Sequence, residues 1–364
     1  MRGKIKGFDG LRGIAVFLVV LNHKFYMAAQ IGLGEYGVHL FFVLSGYLII
    51  GILSNRRHAI TEGKTTFRQE IIHFYENRLF RIWPIYFLLV FTVMAAGALG
   101  LTRPLSGQET IALFTFTSNI FQSYVWLTYP LLIAPLWSVA IEEQFYVWAA
   151  PVFLLIPRRK FALVCLAVIA QAILVGVLTY LSGQYLRSIY TGSLTNFGLM
   201  ALGGLTVVAV APNFRLAEAA LPALALYLLS PFVSAAIGRY SGFSYLVLYG
   251  SGILVALALA GIVSDQSSRL VRFLELAPVR YIGTISYGLY LYHDAINLPF
   301  VDGVGPHFLH LRALVEIALS VAIAGLSWRF IETPILKYKD RLRARRNEPE
   351  RGALPDQPSA QASS

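Results

Sequence analysis

Apolar residues in this chain come in long blocks, not in the alternation of half-buried strands. Ten blocks are long enough to cross a bilayer, at about 20 residues for a span: 12–31, 36–54, 80–101, 138–156, 161–181, 193–211, 218–237, 243–263, 282–301 and 312–333. In lipid every backbone polar group must be paired within the protein, so the pattern predicts an all-α, polytopic transmembrane helical bundle of about 10 spans over residues 1–336. An even count puts both termini on one side. The stretch TIALFTFTSNIFQSYVW, 110–126, is long enough to cross but carries Thr, Ser, Asn and Gln. Counted as a span it would invert the side of Arg158, Arg159 and Lys160, so it is read as a re-entrant or buried interfacial segment. The first block follows MRGKIK directly, is long, and lacks a small-residue cleavage site, so it is expected to stay as the first helix. From Lys337 to Ser364 the apolar pattern stops: KYKDRLRARR gives way to a Pro-, Ala- and Ser-rich end, expected to be a cytoplasmic tail (337–364) with little fold of its own. No internal repeat stands out, which disfavours a transporter built from two matched halves.

Composition agrees with the pattern. With 57% hydrophobic and 13% charged residues in 364, soluble, disordered and fibrous classes are excluded. The net charge of +11 raises nucleic acid as a partner, but its distribution says otherwise. With the N-terminus inside, the inner segments collect Arg2, Lys4, Lys6, Arg12, Arg56, Arg57, Lys64, Arg68, Arg78, Arg81, the 158–160 triplet, Arg215, Arg269, Arg272, Arg280 and the tail. Only Arg103, Arg187, Arg239 and Arg312 remain outside. That asymmetry places both termini in the cytoplasm, and no nucleic acid is implied. The single cysteine, Cys165, excludes an intrachain disulfide and a cysteine metal site; it reads as an apolar filler.

Ionisable groups inside spans cost a few kcal/mol each in lipid and tend to face a cavity or a partner. Arg12 and His23 lie eleven residues apart on the first span, about three turns and roughly 16 Å. Arg12 therefore falls at the inner face and His23 near mid-membrane, on similar sides of the helix. Lys24 follows, a cation that would favour a neutral imidazole next door. A membrane histidine is more often a structural hydrogen-bonding group than a catalyst, and both readings stay open here. In LWSVAIEEQFYVW, Trp137, Ser138, Glu142, Glu143 and Gln144 sit in the outer half of the fourth span. Successive helix residues diverge by about 100°, so Glu142 and Glu143 cannot face one small pocket equally. One could orient His23 while the other pairs with Lys24 or Arg239; a structural ion pair is the plainer alternative. In FYENRLFRIWP, Arg78 and Arg81 share a helix face at the cytoplasmic boundary, which suits bidentate binding of phosphate oxygens as well as ordinary positive-inside anchoring. His39, Ser45 and Gly46 lie in the second span, where small residues let helices approach. In TISYGLYLYHDAI, Ser286, Tyr287, Tyr290 and His293 fall on the ninth, with Tyr290 and His293 on one face, able to line a polar cavity or simply to pack. No Walker A or dinucleotide fingerprint is present.

In order along the chain, FDGLRGIAVFLVVLNH, GVHLFFVLSGYLI, RLFRIWP, LWSVAIEEQFY, ISYGLYLYH and FIETP resemble the membrane-bound acyltransferase-3 family, over residues 8–334. That family includes O-acetyltransferases of lipopolysaccharide O-antigen, exopolysaccharide and nodulation factor, and macrolide acyltransferases. The resemblance implies a multi-pass protein of the bacterial inner (cytoplasmic) membrane. Its reaction would be O-acyl transfer, usually acetyl, from cytoplasmic acyl-CoA to a hydroxyl of a cell-surface or lipid-linked glycan. Acetyl-CoA would be a co-substrate, with no tightly bound cofactor and no metal. Residue by residue, His23 resembles the essential first-span histidine, Arg12 its paired arginine, Arg78 and Arg81 the coenzyme-binding pair, and Glu142, after Trp137 and Ser138, the motif glutamate. Glu143, Ser286, Tyr290, His293 and Lys24 join Trp137 and Ser138 as candidates to line the acceptor cavity. The chain resembles the stand-alone form, without a fused esterase-like domain. It lacks the Arg-x-Asp many relatives carry before a Gly-rich span, having Asn196 in TGSLTNFGLMALGG instead. The implied mechanism uses neutral His23 as general base or transient acyl carrier, Glu142 to stabilise the imidazolium, and Lys24 or Tyr290 to stabilise the oxyanion. Acylation of a small secreted metabolite such as a macrolide is one alternative. Proton-coupled export of a lipid-linked glycan is another, and it would need buried His and Glu but no paired-arginine coenzyme site. A non-catalytic binding role would tolerate loss of His23.

Overall fold

The computed structural model describes residues 5–125, 131–183, 189–238, 241–298 and 306–347, and among them every regular element is a helix. Six helices are long and apolar enough to cross a membrane. They are α3 (Leu33–Thr61), α4 (Phe67–Ala98), α8 (Phe161–Leu181), α10 (Phe214–Ala236), α11 (Gly242–Ser264) and α15 (Pro306–Ser327), the last running on through a π-helical turn (Trp328–Glu332). Three more predicted spans are helical but shorter or more polar: α1 (Phe8–Lys24), α7 (Leu136–Leu155) and α9 (Ser193–Ala209). Glu142, Glu143 and Gln144 are what dilute the apolar character of α7.

The structure departs from the sequence pattern in four places. Block 12–31 is broken after Lys24, and a short helix, α2 (Tyr26–Ile31), closes on Gly32 in the left-handed region (φ 72°). Block 282–301 is no continuous helix. It is α13 (Ala277–Thr284) and α14 (Ser286–Tyr292) meeting at Ile285, and the chain from Ala295 to Leu298 is non-helical. Hydropathy could not show this, because broken helices remain apolar when neighbouring protein satisfies their backbone. The 110–126 segment folds as α5 (Gly107–Phe114) and α6 (Ser118–Val125), broken where Phe116 takes a positive φ of 52°. Neither half is long enough to cross. The basic stretch after Lys337, expected to be unstructured, continues the last span as α16 (Thr333–Asn347).

Close crossings bring the site elements together. α3 crosses α9 so tightly that a Cβ on Gly46 would lie 1.8 Å from the Met200 carbonyl oxygen, and one on Gly203 1.9 Å from that of Val43. α1 crosses α13 in the same way, with the Gly283 Cβ position 1.7 Å from the Asp9 carbonyl. Small residues at these points trade side-chain burial for backbone contact, as membrane helices do in the absence of a hydrophobic drive between them. α1, α3, α4, α7 and α14 thereby surround one polar interior, whose apolar walls include buried Val38, Phe42, Ile49, Ile82 and Val139.

Candidate active site

Ser138, Glu142 and Tyr146 follow one another at four-residue spacing on α7, so they form one stripe about 12 Å long. Ser45 Oγ donates to Glu142 Oε1 (2.5 Å) and the Tyr146 hydroxyl donates to Oε2 (3.0 Å), occupying both carboxylate oxygens. At the Tyr146 end the Arg78 guanidinium lies 5.4 Å from the Tyr146 ring centre and 5.7 Å from that of Phe74. Arg78 forms no hydrogen bond or ion pair among the described residues, and its Nε is buried without a partner. Arg81, three residues on, shares its face, and Arg12 enters from α1 bonded to Asp9 at 2.9 Å. These three arginines line a cavity of about 100 Å³ whose only carboxylate is Glu142, with Ser45, Ser138, Ser286, Tyr287 and Tyr290 among its other walls. The cavity is therefore cationic and suits a polyanion.

The other end of the stripe is closed by a hydroxyl pair. Ser138 Oγ and the Tyr290 hydroxyl are 2.6 Å apart, and both reach the Pro135 carbonyl, at 3.2 and 3.1 Å. Behind Tyr290, His293 is fully buried and donates Nδ1–H to the Tyr290 carbonyl at 2.7 Å. Its Nε2 is 3.2 Å from His23 Nδ1, and the two rings meet edge to face at 4.8 Å. Asp294 faces both imidazoles: Oδ1 is 3.5 Å from His293 Nε2 and Oδ2 is 3.8 Å from His23 Nε2. His23 itself keeps 37% of its side chain exposed and does not line the cavity; Tyr290 stands between. Lys24 turns the opposite way, its side chain 1% exposed. It pairs with Glu316 at 3.0 Å and donates to the Ile296 carbonyl (2.7 Å) and Asn297 Oδ1 (3.1 Å). Glu316 also accepts from Arg312 Nε and the Leu298 amide, both at 2.8 Å.

Residues 5–331 match the family model described as an acyltransferase domain, that of acyltransferase-3. The chain belongs to the acyltransferase-3 family. It is 31% identical over 374 residues to the peptidoglycan O-acetyltransferase OatA of Listeria monocytogenes, covering 92% of this chain and 56% of that protein. It is 31% identical to the putative peptidoglycan O-acetyltransferase YrhL of Bacillus subtilis, with 91% and 55% covered. To the O-acetyltransferase OatA of Staphylococcus aureus it is 30% identical, with 92% and 57% covered. The chain thus spans about half the length of the curated relatives it matches. No solved structure matches it.

Against this acyltransferase frame, Arg12, Arg78, Arg81, Ser138, Glu142, Ser286 and Tyr290 come together in one cavity, with His23 and His293 adjoining across Tyr290. Three expectations need correction. Glu142 is not the carboxylate beside His23: Ser45 and Tyr146 hold it, and Asp294 takes that place. Lys24 is not free to meet an oxyanion or either α7 glutamate, because Glu316 neutralises it in a buried pair. Trp137 turns out of the cavity, its ring against Tyr190 (4.7 Å) and Phe42 (6.2 Å). Glu143 points away from Glu142, as the 100° offset requires, and accepts from Trp83 Nε1 at 3.3 Å. Arg239 lies outside the described residues. His39 stacks between Tyr249 and Tyr190 with neither ring nitrogen hydrogen-bonded. Asn196 donates its amide to the Tyr190 and Gly192 carbonyls, while its Oδ1 is buried without a partner among the described residues. Reasoning from sequence passed over Asp294, Glu316 and Tyr146. Each had a signal: an aspartate directly after His293, a glutamate near the start of an apolar block, and a tyrosine one turn beyond Glu142.

Proposed function

We propose that this acyltransferase moves an acetyl group from cytoplasmic acetyl-CoA to a hydroxyl of a cell-envelope glycan, with peptidoglycan the first acceptor to test. The observation that carries the donor assignment is the cationic cavity: Arg12, Arg78 and Arg81 around about 100 Å³, with Arg78 unpaired. A bound drug-sized ligand occupies about 300 Å³ or more, so this cavity takes the reactive end of the coenzyme while its phosphates lie at the arginine mouth. The six long apolar helices, counted with α1, α7, α9 and the broken α13–α14 pair as further crossings, fit the same direction. In this reading the basic asymmetry sets the arginine end at the cytoplasmic face of a bacterial inner membrane and His23 toward the outside. The names of the curated relatives supply the glycan class.

In this reading His23 removes the proton of the acceptor hydroxyl as its oxygen attacks the thioester carbonyl. The Ser138 and Tyr290 hydroxyls, 2.6 Å apart on the cavity wall, are the donors this reading assigns to the tetrahedral oxyanion, turning to it from the Pro135 carbonyl. Collapse expels the coenzyme thiolate, which takes the proton back from the imidazolium, and the ester forms. The polar stripe on α7 lets the acyl end cross an otherwise apolar interior.

The test compares O-acetyl ester content of the host's surface glycan, by NMR, in a deletion strain complemented with wild type or with His23→Ala, at matched membrane levels. Esters that vanish on deletion and return only with wild type support the reading. Ester content indifferent to deletion rules out a glycan acceptor. Full-length protein in nanodiscs that fails to turn over radiolabelled acetyl-CoA rules out the donor.

A further inference from the structure

The hydrogen bonds around His23 constrain which of its nitrogens carries the proton. A backbone carbonyl can only accept, so the bond from His293 Nδ1 to the Tyr290 carbonyl (2.7 Å) requires a proton on that nitrogen. Neutral His293 then has its lone pair on Nε2. His23 Nδ1 lies 2.9 Å from the Val19 carbonyl and 3.2 Å from His293 Nε2, so both of its neighbours are acceptors. Nδ1 must therefore be the protonated nitrogen of neutral His23, and Nε2 carries the lone pair. The one charged group facing Nε2 is the Asp294 carboxylate, at 3.8 Å. That is too long for a hydrogen bond in the resting state and close enough to face a positive charge that appears there. Lys24, the neighbouring cation, is already taken by Glu316.

We propose that His293 and Asp294 are positioning residues: His293, as the second acceptor beside the Val19 carbonyl, fixes the orientation of the His23 ring in its Nδ1–H tautomer, leaving Nε2 free for the acceptor hydroxyl, and Asp294 faces the proton Nε2 collects. The proposal rests on the reading of His23 as the base in acyl transfer. The proton passes from acceptor oxygen to Nε2 and on to the departing thiolate, so nothing is consumed beyond acetyl-CoA and the acceptor. Asp294 takes no proton; it stabilises the imidazolium. His23, His293 and Asp294 could also offer three ligands to a metal ion, their ligand atoms lying within 4.8 Å of one another. The 3.2 Å contact between two ring nitrogens is a hydrogen-bond distance, with one lone pair already committed to a proton, and this favours the relay.

Two measurements on the full chain in nanodiscs test it. The first is ¹⁵N NMR of ring-labelled histidine, with the His23 signals assigned by their loss in His23→Gln. The expected spectrum has Nδ1 protonated and Nε2 bare, and in His293→Ala, where the Val19 carbonyl alone still accepts from Nδ1–H, the Nδ1 resonance shifts as its second acceptor is lost. Protonated Nε2 in wild type, or an Nδ1 resonance unmoved in His293→Ala, overturns the proposal. The second is kinetics with radiolabelled acetyl-CoA and solubilised peptidoglycan strands. Asp294→Asn is expected to lower kcat by about 10²- to 10⁴-fold while KM for acetyl-CoA stays within about twofold, with partial rescue by Asp294→Glu. An unchanged kcat, or a loss that Glu does not rescue, overturns the role of Asp294. Equimolar zinc in the purified protein, with activity lost to a chelator, overturns the relay in favour of a metal. If wild type itself transfers no acetyl group, the functional reading fails, and the NMR still decides the tautomer.

Discussion

At the Tyr146 end of the α7 stripe, Arg78 lies over two aromatic rings with no carboxylate partner among the described residues, whereas beyond the other end Lys24 is locked between Glu316, the Ile296 carbonyl and Asn297. Both ends hold buried or half-buried cations; the arginine end pairs Arg12 with Asp9 but leaves Arg78 without a carboxylate, whereas the other end compensates Lys24 fully. A buried charge without a partner costs several kcal/mol, so its persistence marks a place where an anion arrives from outside the chain. A fully compensated pair does the opposite. It holds its neighbours still, and the neighbour of Lys24 is His23.

Ways to break this contrast begin with His23→Ala, expected to cut acetyl transfer by about 10²- to 10⁴-fold with the protein still in the membrane, read as ester formation per unit of protein. Next is Glu316→Ala, which removes the carboxylate partner of the buried Lys24 and should cost about 3–5 kcal/mol of stability. A lower thermal midpoint in detergent checks it, and Lys24→Met in the same chain should recover part of the loss. Arg78→Ala removes a cation from the uncompensated end. KM for acetyl-CoA should rise about 10- to 100-fold with little change in fold stability, the worth of a charge-assisted hydrogen bond of about 1.5–3 kcal/mol. Arg78→Lys should recover only part, lacking the planar fork. The smallest effect is salt. Raising ionic strength from about 0.05 M to about 0.5 M should weaken acetyl-CoA binding severalfold through the exposed Arg81, and leave the buried Lys24–Glu316 pair unmoved. Equal salt sensitivity of binding and of the thermal midpoint would erase the distinction between the two ends.

Much of the molecule was legible before any coordinates. Apolar block length marked as helical the six helices that are long and apolar enough to cross, together with α1, α7 and α9, because lipid leaves the backbone no other way to satisfy itself. Helical spacing placed Arg78 and Arg81 on one face and sent Glu142 and Glu143 to different ones. The breaks at Lys24 and Ile285 were not legible, since each falls inside an apolar block long enough to cross; the break at Phe116 falls in the 110–126 stretch that its Thr, Ser, Asn and Gln had already set apart as non-spanning. The partners of His23 were missed for a related reason. Asp294 lies 271 residues away in the chain and reaches His23 only because α14 ends just before it, in a segment that hydropathy reads as helix.

Sequence alone determined that this is a helical membrane protein of the acyltransferase-3 type, which side its basic residues favour, and which residue types were available for chemistry. Those are properties of composition and local periodicity, governed by transfer into lipid and by 3.6-residue geometry. Tertiary structure decided the pairings: Glu142 with Ser45 and Tyr146, Lys24 with Glu316, His23 with His293 and Asp294. Several carboxylates compete for few buried cations. Which pair forms depends on ångström-scale helix crossings, such as Gly283 against the Asp9 carbonyl, that no one-dimensional pattern encodes.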